Sequence, residues 1–117
     1  MANPDVYSLP AGLPVPADDG ACDHLPGTRL PALALPSTDG GPVDLSRVRG
    51  RVVVYAYPRT GEPEKPPPVE EWDLIPGARG CTPQTCGFRD HFVELTGLGV
   101  AAVFGLSTQD TAYQREL

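Results

Sequence analysis

An α/β fold is predicted by three features of the sequence. Two runs, residues 51–58 (Arg-Val-Val-Val-Tyr-Ala-Tyr-Pro) and residues 100–106, are apolar at consecutive positions, the pattern of central strands covered on both faces. Between them, residues 82–96 carry Thr85, Phe88, Phe92 and Leu95 on one stripe at helical spacing, with Gly97 as the expected stop. Strand, helix and strand in that order predict a right-handed parallel crossover, because parallel neighbours need a connection of about this length.

In chain order, residues 1–29 are a proline-punctuated arm. Pro10, Pro14, Pro16 and Pro26 block regular structure, and extended backbone laid over the domain is expected. Cys22 and His24 fall in this arm. A Cys-x-His pair offers two metal ligands, whereas a tetrahedral site needs more partners, so an incidental surface cysteine is the ordinary reading. Residues 33–45 read as a hairpin turning at Asp39-Gly40-Gly41, followed by a short helical turn or loop over residues 46–50. The stretch of residues 60–77 is rich in proline and glutamate, with Pro66-Pro67-Pro68 rigid and Trp72 its only large anchor. It is either a lid over the following segment or a surface loop pinned by Trp72. Residues 107–117 begin a helix of about two turns, too short to hold by itself.

Composition narrows the function. The chain has 117 residues, enough for one domain, and 15 prolines and 13 glycines imply much extended and turning backbone. A formal charge of -6 argues against nucleic acid and against anionic membrane surfaces as partners. No apolar run is long enough to span a bilayer, and residues 1–20 place prolines and acids where a leader would need an apolar core. The expectation is a reducing cytoplasm, where paired cysteines are catalytic or metal-binding more often than structural.

The chemistry concentrates in Gly80-Cys81-Thr82-Pro83-Gln84-Thr85-Cys86-Gly87-Phe88-Arg89-Asp90. Pro83 is a residue favoured at the first position of a helix, which puts Cys81 at or just before the helix start, within one or two residues. Unpaired N–H groups and the macrodipole favour an anion there, and a thiolate is one. Cys81 is therefore placed to be a nucleophile. Continuing the apolar stripe back one turn reaches Cys81, toward the carboxyl edge of the sheet, whereas Cys86 points elsewhere. Residues five apart in a regular helix lie about 8.6 Å apart between Cα atoms, and a disulfide needs less than roughly 7 Å. Cys81 and Cys86 can bond only if the first turn unwinds. Arg79, two residues before Cys81, is the better candidate to stabilise a thiolate. Arg89 is as easily half of a surface ion pair with Asp90.

Residues 81–86 followed by Phe88-Arg89-Asp90 resemble the active-site helix of atypical two-cysteine peroxiredoxins of the bacterioferritin-comigratory, or peroxiredoxin Q, type. Residues 52–58 are similar to that family's central strand and proline-bearing loop, residues 100–107 to its next strand, and residues 33–50 to its N-terminal hairpin, so the likeness covers residues 30–117. The resemblance implies a thioredoxin-like fold and a thiol peroxidase acting on hydrogen peroxide and organic hydroperoxides. Cys81 would be the peroxidatic cysteine and Cys86 the resolving one, joined in an intramolecular disulfide that a thioredoxin-like or other dithiol donor reduces. Pro58, Arg79 and Thr82 would touch substrate, with no cofactor and no metal.

Two departures from the family pattern matter. Ala78 stands where the family has threonine or serine, with Thr60 the nearest spare hydroxyl, and residues 60–77 separate Pro58 from Cys81. The family's catalytic arginine lies in later strands and helix, so residues 30–117 are expected to be the N-terminal part of such a domain, a fragment of a longer protein. The residues leave two alternatives open. One is a thiol-disulfide exchange protein without peroxidase activity. The other is an inactive or metal-binding fragment drawing on Cys22, His24, Cys81, Cys86 and His91.

Overall fold

The computed structural model describes residues 11–60, 74–75, 78 and 80–116. It is a mixed α/β arrangement of two small sheets and three helices among those residues. Residues 11–33 form no helix or strand. Successive turns, closed by N–H bonds from Asp23 to the Gly20 carbonyl (3.1 Å) and from Leu25 to the Cys22 carbonyl (3.0 Å), follow a stretch without regular structure.

The hairpin pairs β1 (Ala34–Pro36) with β2 (Pro42–Asp44), with Leu35 opposite Val43. Its turn is closed by the Gly40 N–H donating to the Ser37 carbonyl at 3.2 Å, and Gly40 sits at φ 90°, a conformation that favours glycine. A single 3₁₀ turn, Leu45–Arg47, follows, and Asp44 begins it by accepting from the Ser46 N–H (3.0 Å) and hydroxyl (2.6 Å). The Ser46 hydroxyl bond is the main reason the Asp44 carboxyl is held below the usual range.

The second sheet pairs β3 (Arg51–Tyr57) in parallel with β4 (Val100–Ser107). The register runs from Val52 opposite Ala102 to Tyr57 opposite Ser107, with an irregularity between Arg51 and Val52 that leaves Ala101 extra. Gly50, at φ 88°, enters β3 so close to this point that a Cβ on it would lie 2.9 Å from the Ala101 Cβ. Tyr55, Tyr57, Val103 and Gly105 line the helix side of the pair. On the other side Val54, Phe104 and Leu106 share a cavity of about 260 Å³ with Leu35, Val43 and Leu45 of the hairpin segment.

The expectation of a central strand covered on both faces needs correction. Among the described residues β4 is the only sheet neighbour of β3, and Val54 is 40% exposed. The hairpin covers only part of that face. Burial is instead concentrated at Tyr57 (5% exposed) and Thr60 (1%), at the carboxyl end of β3, and at Val100 (8%).

The single expected helix is two helices. α1 (Cys81–Asp90) and α2 (Phe92–Gly97) meet at His91, whose φ of -99° and ψ of 11° break the helical path. The break lets α2 pack along β4 while α1 stays over β3 through Phe88, whose ring stacks on Tyr55 at 4.3 Å between centroids. Gly97 is the last helical residue rather than the stop. The reversal occurs at Gly99, φ 91°, where the left-handed conformation needs glycine and the Gly99 N–H bonds the Thr96 carbonyl at 3.0 Å. Finally α3 (Thr111–Arg115) is capped by Asp110, which accepts from the Tyr113 N–H at 2.7 Å, and tied to the hairpin turn by Arg115 Nε donating to the Thr38 carbonyl at 3.0 Å. These bonds support a helix too short to persist alone. No helix among the described residues is long and apolar enough to cross a membrane.

Candidate active site

Cys81 is the first residue of α1, with Gly80 as its cap. Pro83 therefore occupies the third helical position instead of the first. Its missing N–H is harmless there too, because the first four helical amides have no partner within the helix. Gly80 brings no side-chain capping bond, and its carbonyl accepts from the Gln84 N–H at 3.1 Å. The positive end of α1 thus begins at the thiol without a carboxylate of its own to neutralise it.

Below α1 lies an aromatic floor. Tyr55 and Tyr57 alternate along β3 onto the same side, stack at 5.7 Å between centroids, and continue through Tyr55 into the Phe88 ring. Tyr55 fits flat over β4 because its partner in register is Gly105, where a Cβ would lie 2.7 Å from the Tyr55 hydroxyl. Burial pushes the Tyr57 phenol above its ordinary pKa, the charges of Tyr55 and Cys81 raise it further, and a Ser107 hydrogen bond opposes them. Burial likewise raises Tyr55, with Cys86 adding to the shift. The Thr85 hydroxyl, buried nearby, favours the Tyr55 phenolate electrostatically while meeting no partner in hydrogen-bonding geometry.

Both cysteines are half-buried free thiols, each within electrostatic reach of one floor tyrosine: Cys81 of Tyr57 and Cys86 of Tyr55. A cavity of about 460 Å³ opens between α1 and the sheet, lined by Tyr55, Tyr57, Thr85, Phe88 and Arg89 among others.

The remaining expected residues divide. Pro58 follows Tyr57 directly, and its carbonyl accepts from the Thr108 hydroxyl at 2.7 Å and the Ser107 hydroxyl at 3.3 Å. Thr82 is the second residue of α1 and half-buried. Arg79, Trp72 and most of the stretch over residues 60–77 lie outside the described residues; within it Leu74 and Ile75 are exposed. Arg89 pairs with its neighbour Asp90, Nη2 to Oδ1 at 2.9 Å, on an exposed surface. Thr60, the spare hydroxyl, is fully buried and engaged by Gln109, with Oγ1 donating to Oε1 at 3.4 Å. Cys22 and His24 are exposed, His91 bonds Glu94 at 3.0 Å, and no three metal-ligating side chains gather among the described residues.

Sequence reasoning treated Tyr55 and Tyr57 only as strand filler and passed over Gln109 and Tyr113. For the tyrosines there was a signal, two aromatics at i and i+2 in the strand facing a helix that carries Phe88. Gln109 and Tyr113 had none, since their partner lies 49 and 53 residues away.

Comparison with known proteins agrees with the motif. No protein-family model matches the chain, and no solved structure does. The peroxiredoxin Bcp of Escherichia coli K12 is 39% identical over 83 residues, 70% of this chain and 42% of the relative. The chloroplastic peroxiredoxin Q of Oryza sativa subsp. japonica is 36% identical over 91 residues, 77% of this chain and 34% of the relative. A candidate peroxiredoxin of Mycobacterium tuberculosis is 38% identical over 79 residues, 67% of this chain and 40% of the relative. The chain thus spans well under half the length of the curated relatives it matches. With a thiol opening the helix after a Tyr-Pro strand end and a second thiol five residues on, the chain belongs to the peroxiredoxins of the bacterioferritin-comigratory, or peroxiredoxin Q, type.

Proposed function

We propose that this chain carries the peroxide-reducing site of a thiol peroxidase on a thioredoxin-like fold. The observation that carries the reading is Cys81 as the uncapped first residue of α1, half-buried and within electrostatic reach of Tyr57 at the carboxyl end of β3. The Cys81 thiolate attacks one oxygen of a peroxide ROOH. The O–O bond breaks, the sulfur keeps one oxygen as a sulfenic acid, and the other oxygen leaves as ROH after taking a proton. Sulfur is oxidised by two electrons and peroxide is reduced by two.

The Cys86 thiol then attacks the Cys81 sulfur, an S–S bond forms, the S–OH bond breaks, and water leaves. The opening turns of α1 unwind for this step, because a helical five-residue spacing of about 8.6 Å exceeds disulfide reach. A thioredoxin-like or other dithiol donor returns both thiols by exchange, with itself oxidised to a disulfide. Pro58, Thr82 and Arg79 wall or polarise the peroxide position. Hydrogen peroxide and organic hydroperoxides are the substrate class, and a reducing cytoplasm is the compartment that keeps this cycle turning.

The test is intact-mass analysis on a Cys22→Ser background after a small excess of hydrogen peroxide. The parent loses the mass of two hydrogens, Cys86→Ser gains one oxygen that dimedone captures, and Cys81→Ser does neither while peroxide consumption falls by about a thousandfold or more. Peroxide loss that persists in Cys81→Ser sinks the assignment.

A further inference from the structure

The most deeply buried residue described, Thr60, is polar, and its backbone is held by side chains from the far end of the chain. The Gln109 side-chain amide meets it twice: Oε1 accepts from the Thr60 N–H at 3.1 Å, and Nε2 donates to the Thr60 carbonyl at 3.4 Å. One primary amide thereby supplies both bonds that a neighbouring strand would supply. The Tyr113 hydroxyl donates to the same carbonyl at 2.9 Å. Gln109 is fixed in turn, with its N–H on Ser107 Oγ at 3.1 Å and its carbonyl taking a bond from Gln114 Nε2.

Two residues earlier the pattern repeats with hydroxyls. Ser107 and Thr108 donate to the Pro58 carbonyl, and the Arg59 guanidinium lies 6.0 Å from the Tyr113 ring centroid. Residues 58–60, the described start of the loop leaving β3, are therefore fastened to the turn between β4 and α3 and to α3. That loop leaves β3 at Tyr57, which is buried and lines the cavity between α1 and the sheet.

We propose that Gln109 and Tyr113 are positioning residues of the peroxidase site, clamping the backbone of Thr60 so that Tyr57 and Pro58 keep a fixed wall beside Cys81. This role rests on the peroxidase reading above. It follows from the demands of the chemistry: a bimolecular attack gains from a wall that holds the peroxide in line with the sulfur, and displacement of about 1 Å costs on the order of a hundredfold in rate. A thiol reacting with a small alkylating agent has no such requirement.

The experiment compares two second-order rate constants for Cys81 on the Cys22→Ser background, one with hydrogen peroxide and one with iodoacetamide. Gln109→Ala should slow the peroxide reaction by about tenfold or more while alkylation changes by less than about twofold. Gln109→Glu, which keeps the acceptor and loses the donor, should fall between parent and alanine. Tyr113→Phe, which removes one bond of the set, should lower the peroxide rate by a few-fold. Far-ultraviolet circular dichroism checks folding, and if Gln109→Ala unfolds, the glutamate and phenylalanine variants carry the comparison. Equal loss of both rates, or no loss in either, overturns the positioning role. A parent chain that leaves peroxide untouched overturns the peroxidase reading itself, whereas a reactive parent matched by equally reactive variants overturns the clamp alone.

Discussion

The first and last of the three helices, α1 and α3, begin in opposite ways. α3 starts with Asp110, whose carboxylate takes the Tyr113 N–H, so its positive end is occupied by its own side chain. α1 starts with Gly80, which brings no side chain, and the first group at its positive end is the Cys81 thiol. An ordinary helix start gains about 1 kcal/mol from an Asp cap. α1 forgoes that, and the group standing at its open start is a thiol. What the contrast teaches is that, on the proposed peroxidase reading, a missing cap is a functional feature, because a carboxylate placed there would compete with the anion that reading requires.

Four changes probe that contrast. The largest effect is expected beneath α1: Gly105→Ala puts a methyl within 2.7 Å of the Tyr55 hydroxyl, lifts the ring off β4 and loosens its stack with Phe88. A loss of about 1–3 kcal/mol is expected from urea denaturation. An unchanged midpoint means that the aromatic floor does not seat α1. Next, Gly80→Asp supplies the missing carboxylate, and a like charge beside the thiolate should slow both alkylation and peroxide reaction of Cys81 about tenfold. If the variant reacts as fast as the parent, the open helix start has no bearing on the thiol.

Asp110→Ala is the reciprocal change. Loss of the α3 cap should cost about 1 kcal/mol and leave Cys81 alkylation as it was; a thiol that slows as much as in Gly80→Asp would erase the distinction between the two starts. The smallest effect concerns the floor tyrosines at alkaline pH. Their folded pKa values lie above the ordinary value, chiefly through burial, so the native state holds its phenolic protons more tightly than the unfolded chain. Their contribution is complete below about pH 10 and is lost as pH rises through the raised folded values. Urea midpoints taken between about pH 9 and 11 should fall for the parent and fall less for Tyr57→Phe. Equal slopes would show that the phenol is not desolvated.

Much of this was legible in the chain itself. Apolar runs made β3 and β4 visible, the Gly40 region marked the hairpin turn, and the Gly-Cys-Thr-Pro string located the start of α1, because each is a local signal. What was not legible depends on distant partners. The break at His91 follows from α2 turning onto β4, and no residue in Asp90-His91-Phe92 announces it. Gly99 rather than Gly97 takes the left-handed conformation, since both glycines satisfy the same rule and only the path into β4 separates them. Thr60 reads as a spare hydroxyl for the one missing at Ala78, yet Gln109 and Tyr113 engage it from across the chain. The exposed side of Val54 was misjudged because coverage is a property of neighbours, which an apolar run does not name.

If Cys81 and Cys86 act as proposed, the interruption at His91 also confines the work of resolving the oxidised sulfur. Only the segment before it has to come apart when Cys86 turns toward Cys81, and Phe88, anchored on Tyr55, sits between the moving turns and the break. α2 and its seat on β4 need not stir. On that reading an uninterrupted rod would transmit the same unwinding to β4, which ends at Ser107 just before the turn that holds Gln109, and oxidation would disturb the proposed wall.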